Sequence, residues 1–186
     1  IESLQNNSKK SWFWFEKAVN YTHAMYVGFR HSVRGKNNLF SVDGRIQGFK
    51  KELVKKIKVP EDMITNDLYT YFCCISNGYK YKFADTAIVR FRSPQTLTDQ
   101  IAQNTRFIAA KTRMRRYFEH DLVDHEFHIP RATLIKGMLT QLIKDPVLCL
   151  FIFFINKYCS IRASVIEKDL NAKWTIATTT KNLNLQ

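Results

Sequence analysis

Apolar residues recur at helical spacing over much of the chain, and turn-forming or capping residues mark where these stretches begin and end. Ser11 can cap a first helix, Thr65 or Asn66 can cap another, and Asn77-Gly78 is a signal that ends one. Pro146 suits the first turn of a helix. The predicted helices cover residues 12–29, 49–57, 66–77, 96–118 and 131–144, with a further one starting at Pro146.

Two stretches predict strands. Residues 39–42 form a short apolar run of the kind found in buried strands. Residues 79–92 alternate and are rich in Tyr, Phe, Val and Ile, which favours one or two strands. Residues 119–130, between the predicted helices 96–118 and 131–144, are acidic and contain histidines, which predicts a loop.

Residues 147–155 are the longest unbroken apolar run, and Asn156 and Lys157 interrupt it. A membrane-spanning helix needs about 20 apolar residues, so the run by itself is too short to predict one. It fits a buried core helix or a helix that lies on a membrane surface. The second interpretation draws on the basic flanking residues Lys144, Lys157, Arg162 and Lys168.

Composition narrows the possible classes of protein. The chain has 186 residues, 45% of them apolar, which is enough for a packed core and excludes wholesale disorder. Its net charge of +13 favours contact with phosphate, acidic lipid or nucleic acid. The four cysteines include no Cys-x-x-Cys pair, so neither a zinc ribbon nor a disulfide framework is indicated. The chain starts at Ile1, and we expect it to be part of a longer protein.

Asp67 falls at the start of a predicted helix. A carboxylate there is stabilised by the free N–H groups of the first turn, so Asp67 could be a purely structural helix-start residue. It could also be a general base, which needs a carboxylate held at the edge of a site. Glu61 and Asp62 lie close in sequence, but they follow Pro60 in a turn and are predicted to be solvated.

Gln103, Arg106 and Phe107 are spaced i, i+3 and i+4 in a predicted helix and therefore share one face. An amide, a guanidinium and an aromatic ring suit a sugar or phosphate ligand, because Arg binds phosphate oxygens in a bidentate manner and the ring can stack on a sugar. The alternative is an amphipathic helix whose arginine reaches outward to solvent.

Five segments in order match a known pattern. They are Gly44 with Gly48-Phe49-Lys50-Lys51, Thr65-Asn66-Asp67, Asn77-Gly78-Tyr79-Lys80, Ser93-Pro94-Gln95-Thr96, and Gln103-Asn104-Thr105-Arg106-Phe107. Together they resemble the second half of the catalytic domain of family 2 glycosyltransferases, inverting enzymes related to cellulose and hyaluronan synthases. Trp174 with Thr178-Thr179-Thr180-Lys181 is a weaker similarity to the ending of related membrane-associated transferases.

The resemblance implies an α/β fold: a partial GT-A fold that lacks the donor-binding N-terminal half and is followed by C-terminal helices. Residues 1–118 would be the acceptor-side half of the catalytic domain, and residues 119–186 a helical, possibly membrane-interfacial appendage. Asp67 would be the catalytic base, although Asn66 replaces the first acid of the usual pair. Gln103 and Arg106 would hold the donor diphosphate or the acceptor, and Phe107 would replace the usual Trp.

The same resemblance implies a divalent cation, Mg²⁺ or Mn²⁺, with ligands that are not in this chain. The implied partners are a nucleotide-sugar donor, a saccharide or lipid-linked acceptor, and a membrane on its cytoplasmic face. Without the upstream donor-binding half, the chain is not expected to turn over. His120, His125 and His128 with Asp121 and Asp124 could suggest a metal cluster, but an exposed acidic loop is the favoured interpretation.

The alternative function is a basic module that binds nucleic acid without catalysis. The charge of +13, eight Tyr and fourteen Phe permit it, since basic grooves with stacking rings hold single strands. The aromatic residues, however, cluster in apolar runs at 12–15 and 151–154, where burial is the simpler explanation. The basic stretch Lys111, Arg113, Arg115 and Arg116 has two interpretations: cations at the end of a helix, or contacts to anionic headgroups.

Overall fold

The computed structural model describes residues 2–3, 19–20, 28, 30, 32–91, 94 and 96–170. Helices account for 65% of the interpretable residues. The strand pairing in this part of the chain is a parallel ladder of two residues on each side, with Glu2 opposite Arg90 and Ser3 opposite Phe91. The predicted α/β fold, and with it the partial GT-A fold, is therefore wrong, because the described chain is helical.

The regular elements follow one another as short segments and then long helices. The two strands are β1 (Glu2–Ser3) and β2 (Arg90–Phe91). The α-helices are α1 (Lys51–Val54), α2 (Asn66–Ser76), α3 (Leu97–Met114), α4 (His120–Phe127), α5 (Arg131–Lys144) and α6 (Pro146–Ile166). Single 3₁₀ turns occur at Arg34–Lys36, Leu39–Ser41 and Glu167–Asp169.

The main core forms where α2 meets the end of α3 and α4. Phe72 of α2 is fully buried, and its ring stacks on Phe118 with the ring centroids 5.2 Å apart and on Phe127 at 6.2 Å. Burying a large side chain of this kind stabilises a fold by about 1.5–3 kcal/mol. The buried members of this core are Leu39, Met63, Tyr69, Tyr71, Phe72, Cys73, Met114 and Val123.

The ends of α2 and α3 follow the predicted signals. At the end of α2, Gly78 adopts a φ of 75°, its N–H donates to Ile75 O, and the Tyr79 N–H donates to Cys74 O. This is the Schellman arrangement, which favours glycine because the left-handed region costs it nothing. At the start of α3, the Thr96 hydroxyl oxygen accepts from the Asp99 N–H.

Helix α6 lies along α3. Its buried residues are Leu148, Cys159 and Ala163, which recur on one face. Between the two helices the Asn104 amide donates to the Asn156 side-chain oxygen at 3.2 Å, and the Cys159 Sγ lies 3.8 Å from Ile101 O. The polar interruption at Asn156 therefore faces α3, and α6 continues through it to Ile166.

Of three local predictions, two are wrong and one is confirmed only at its end. Residues 39–42 are not a strand: Leu39–Ser41 is a 3₁₀ turn, capped by the Asn38 side chain, which accepts from Phe40 N–H. Residues 79–92 contribute only Arg90–Phe91 to a ladder. In between, side-chain bonds fix the extended chain: Tyr81 Oη donates to Ser41 O, and the Phe83 N–H donates to Asn37 Oδ1.

The third is the acidic loop at 119–130, where the structure has helix α4. Its Val123 is fully buried in the main core. Helix α4 therefore packs with the elements that precede residue 118. The division into 1–118 and 119–186 stays a prediction. Within the predicted helix over 12–29 the structure describes residues 19–20 and 28, which are helical, and the Trp174 tail lies outside the described residues.

Candidate functional site

Asp67 is the second residue of α2, where the helix N-terminus leaves main-chain N–H groups without helical partners. Its carboxylate accepts from its own N–H and from that of Leu68. Burial raises the pKa of the Asp67 carboxyl above its ordinary value; these hydrogen bonds and the nearby Arg106 charge offset only part of that rise, and Asp43 adds to it. A carboxylate with a raised pKa is a better proton acceptor than an ordinary aspartate.

The loop before α1 closes over the start of α2. Gly44 approaches Asp67 so closely that a Cβ at this glycine would lie 3.3 Å from Asp67 Cβ and 3.4 Å from Oδ2. The Gln47 amide donates to Asp67 O at 3.4 Å, and the Thr70 hydroxyl lies within reach of both Asp67 O and Gln47 Oε1, at 2.9 and 3.0 Å. Asp43 forms an ion pair with Arg45 at 2.7 Å.

Arg106 reaches this place from the middle of α3. Its charge interacts with that of Asp67, and burial lowers its pKa while Asp67 raises it. A guanidinium stays protonated under such shifts, so Arg106 remains a cation whose charge acts on Asp67. The Arg106 guanidinium carbon lies 5.5 Å from the centroid of the Phe107 ring, which is 38% exposed. Gln103 is half-buried one turn earlier on α3.

The structure thus places Asp67 and Arg106 where their charges interact, with the Phe107 ring beside the Arg106 guanidinium. The role of Gln103 stays a prediction. Sequence reasoning did not foresee Gly44 and Gln47 as neighbours of Asp67; the glycine was visible in the sequence, but its close approach depends on how the loop folds back.

The basic stretch at the end of α3 does not act as one surface. Arg113 is 1% exposed and bonds to Asp62, Glu167 and Leu170. Arg115 instead forms an ion pair with Asp124. The expectation of a solvated group of cations is wrong for Arg113.

A second buried carboxylate lies on α4. The Glu126 carboxylate accepts hydrogen bonds from both terminal nitrogens of the Arg34 guanidinium, at 2.5 and 2.9 Å, and from the Tyr71 hydroxyl at 2.5 Å. The Nδ1 atom of His125 lies 3.3 Å from Glu126 Oε1. Arg34 and Lys36 have φ values of 45° and 69°, an uncommon left-handed conformation for residues with a Cβ. The bonds that Glu126 makes with Arg34 and Tyr71 tie the turn 34–36 to the core.

The described residues contain no group of three or more His, Cys, Asp or Glu side chains that could hold a metal ion. His120, Asp121 and His128 do not combine with Asp124, whose carboxylate is used by Lys111 and Arg115. The divalent cation that the family resemblance implies has its expected ligands outside this chain, so it stays a prediction.

Helices α5 and α6 leave a wide apolar surface exposed. The segment Pro146–Asp169 is long and apolar enough to cross a membrane by length and composition, and little of it is buried. Phe153 and Phe154 are 51% and 65% exposed, and α5 has no buried residue. The interpretation of residues 147–155 as a buried core helix does not fit this exposure. Other exposed apolar residues here are Ile135, Leu139, Ile143, Val147, Leu150, Ile161 and Val165.

Comparison with known proteins gives no relative for this chain: no family model, no curated protein and no solved structure matches it.

Proposed function

We propose that this chain carries the catalytic base of an inverting glycosyltransferase, which moves a sugar from a nucleotide-sugar donor to an acceptor hydroxyl. The observation that carries the proposal is the placement of Asp67 at the start of α2, where its charge interacts with that of Arg106 on α3. These are the two residues to which the sequence resemblance gives the base and a diphosphate contact. The described chain is helical and lacks the GT-A fold of that family, so the proposal rests on these residues and not on the fold.

In the proposed reaction, the Asp67 carboxylate takes the proton of the acceptor hydroxyl. The hydroxyl oxygen then attacks the anomeric carbon of the donor from the face opposite the diphosphate. The new carbon–oxygen bond forms as the bond to the diphosphate breaks, and the electron pair of the broken bond leaves with the nucleoside diphosphate. Burial of Asp67 favours this role, because it raises the affinity of the carboxylate for the proton.

Arg106 is suited to neutralise the charge that develops on the leaving diphosphate, since a planar guanidinium binds two phosphate oxygens at once. The exposed ring of Phe107 beside it can stack on the apolar face of a sugar. Gln103, one turn away on the same helix, could hydrogen-bond a sugar hydroxyl from this side. These three roles follow the resemblance and agree with the positions of Arg106 and Phe107.

The test uses the native protein, including any sequence before Ile1, and measures release of nucleoside diphosphate from a panel of nucleotide sugars with saccharide acceptors. Turnover that is lost in Asp67→Asn and retained in Glu61→Gln supports the proposal. Glu61 is a matched control because it is an exposed carboxylate in the turn just before α2. We expect Arg106→Lys to lose most activity, because Lys cannot form the bidentate contact.

Two results would contradict the proposal. One is full turnover in Asp67→Asn. The other is the absence of turnover with every donor, together with single-stranded nucleic acid binding that falls steeply as salt rises, which would favour the nucleic-acid module.

We also propose that α5 and α6 place this site on the cytoplasmic face of a membrane. Helix α6 remains bound to α3 through Asn104 and Asn156, and α3 is too polar to enter a bilayer core. The geometry therefore favours a helix that lies in the membrane surface over one that crosses it. Lys144 and Lys157 flank the apolar face and suit an anionic leaflet, at about 1 kcal/mol for each basic residue near the surface.

Vesicle flotation tests this placement. The native protein should float with vesicles that contain anionic lipid, and replacing Phe151, Phe153 and Phe154 by Ser should release it while the circular dichroism spectrum stays native. Flotation that is unchanged in the folded triple variant would contradict the placement.

A further inference from the structure

Helix α3 presents two arginines to the same short segment of chain. Arg106 and Arg113 are seven residues apart, which is about two helical turns or about 10 Å along the axis, so both lie on one face. The charge of Arg106 interacts with that of Asp67, and the Arg113 guanidinium donates to Asp62. Direct hydrogen bonds therefore hold the segment 62–67 against α3 at its Asp62 end.

Arg113 uses its full set of donors in this contact. Nε donates to Glu167 Oε1 at 2.8 Å, and Nη2 donates to Glu167 O at 2.7 Å and to Leu170 O at 2.9 Å. Nη1 donates to the main-chain oxygen of Asp62 and to its Oδ2 at 3.1 Å. These five contacts match the five N–H groups of a guanidinium, and the side chain is 1% exposed.

The chain between Asp62 and α2 has little freedom to move. Met63, Ile64 and Thr65 are all buried. Ile64 packs in a small cluster with Ala109 of α3 and Ala163 of α6. A displacement at Asp62 must therefore be passed on to the first turn of α2, where Asp67 lies.

We propose that Arg113 is a positioning residue for Asp67: by fixing Asp62 to α3 and to the chain that follows α6, it holds the start of α2 so that the Asp67 carboxylate keeps its half-buried place near Arg106. The significance for catalysis depends on the proposed function. The contacts of Arg113 with Asp62 and Glu167 form a clamp, and Glu167 comes directly after α6. The end of the membrane-facing helix and the site therefore share one anchoring residue.

The test follows the titration of the Asp67 carboxyl by carbon-13 NMR in the native protein labelled at aspartate, with the signal assigned by its loss in Asp67→Asn. The variant is Arg113→Lys, which keeps the positive charge and loses the planar guanidinium with its five N–H donors. The charged groups that face Asp67 are Arg106 and Asp43, and both are unchanged. Because burial is the main cause of the raised pKa, a loosened α2 start should lower the pKa of Asp67 toward its ordinary value.

Arg115→Lys is the matched control, since Arg115 lies two residues away and pairs with Asp124 without contacting Asp62 or Glu167. The proposal requires a shift in Arg113→Lys and none in Arg115→Lys. A folded Arg113→Lys protein with an unchanged Asp67 titration overturns it, and so does an equal shift in both variants.

If Arg113→Lys does not fold, Asp62→Asn takes its place, with Glu61→Gln as the control for removing one negative charge nearby. A larger fall in the Asp67 pKa in Asp62→Asn than in Glu61→Gln supports the proposal, and equal shifts overturn it. The titration does not depend on sugar transfer. If Asp67→Asn retains full transfer, the proposed function fails, while the Arg113 result still decides whether the clamp positions Asp67.

Discussion

Replacing Glu126 by Gln should destabilise the protein strongly at neutral pH. The Glu126 side chain is 7% exposed and accepts from Arg34 and Tyr71. Gln keeps the shape but offers one acceptor oxygen and no charge, so the Arg34 guanidinium loses its paired carboxylate. The turn at 34–36 loses its main anchor to α4 at the same time.

The magnitude follows from how buried each partner is. Removing one member of a fully buried ion pair costs about 3–5 kcal/mol. The Arg34 side chain is 37% exposed and can recover part of its hydration, which puts the expected loss for Glu126→Gln at about 2–3 kcal/mol. Asp85→Asn is the control: its pair with Lys36 is exposed, and we expect a change below about 0.5 kcal/mol.

The loss should depend on pH in a defined direction. Burial alone would raise the pKa of Glu126, but the hydrogen bonds from Arg34 and Tyr71 outweigh it and hold the pKa below its ordinary value. A lowered carboxyl pKa gives stability that is fully present above the unfolded value of about 4.3 and is lost as the pH falls through the native pKa. The difference between native protein and Glu126→Gln should therefore shrink in acid.

Urea denaturation at pH 7 and at acidic pH, followed by near-ultraviolet circular dichroism, measures both quantities. The reasoning is refuted if Glu126→Gln at pH 7 is no more destabilised than Asp85→Asn. It is also refuted if the loss in Glu126→Gln stays constant from pH 7 into the acid range.

Two further predictions concern backbone positions. Gly44→Ala should lower sugar transfer about tenfold or more by displacing the Asp67 carboxylate. Gly48→Ala, where a Cβ meets nothing within 4 Å, should leave transfer unchanged. Equal transfer rates for the two variants in a steady-state assay would contradict this. Lys36→Gly should raise the free energy of unfolding by about 0.5 kcal/mol because it relieves a left-handed φ. Lys36→Ala, which loses the same ion pair to Asp85, should not raise it. Denaturant melts that give both variants the same free energy of unfolding would contradict the prediction.

Where local signals act alone, the sequence predicts the helices well. Helix α5 has the predicted bounds Arg131–Lys144, α6 begins with Pro146 in its first turn, and α2 ends at Asn77-Gly78 as predicted. In each case a capping or turn residue next to a periodic apolar pattern specifies the helix through contacts within a few residues. Such contacts do not depend on the rest of the fold.

Of the strand predictions only Arg90–Phe91 is confirmed, because alternation by itself does not supply a partner strand. Residues 79–92 have the composition of a strand, yet Tyr81 and Phe83 are held by single bonds to Ser41 and Asn37 in place of a ladder. Helix α4 was missed for the opposite reason. Its acidic and histidine residues suggested a solvated loop, while its buried Val123 is packed by distant elements.

The sequence predicts Asp67 and Arg106 on two helices, where short motifs place them, and the structure has them there with interacting charges. Their roles in a site stay predictions. The closeness of Gly44 and the burial of Arg113 depend on long-range packing, which no local pattern encodes. Arg113 in particular has the sequence surroundings of a solvated helix end, and only the chain after α6 makes it a buried clamp.

The most direct test of the central claim is the rate of sugar transfer by Asp67→Asn in the native protein at saturating donor, with donor affinity measured alongside. If Asp67 is the base, transfer should fall by about 10²–10⁴-fold while nucleotide-sugar binding changes little, because the lost interaction is needed in the transition state. Transfer at the native rate in a folded Asp67→Asn protein would contradict the account.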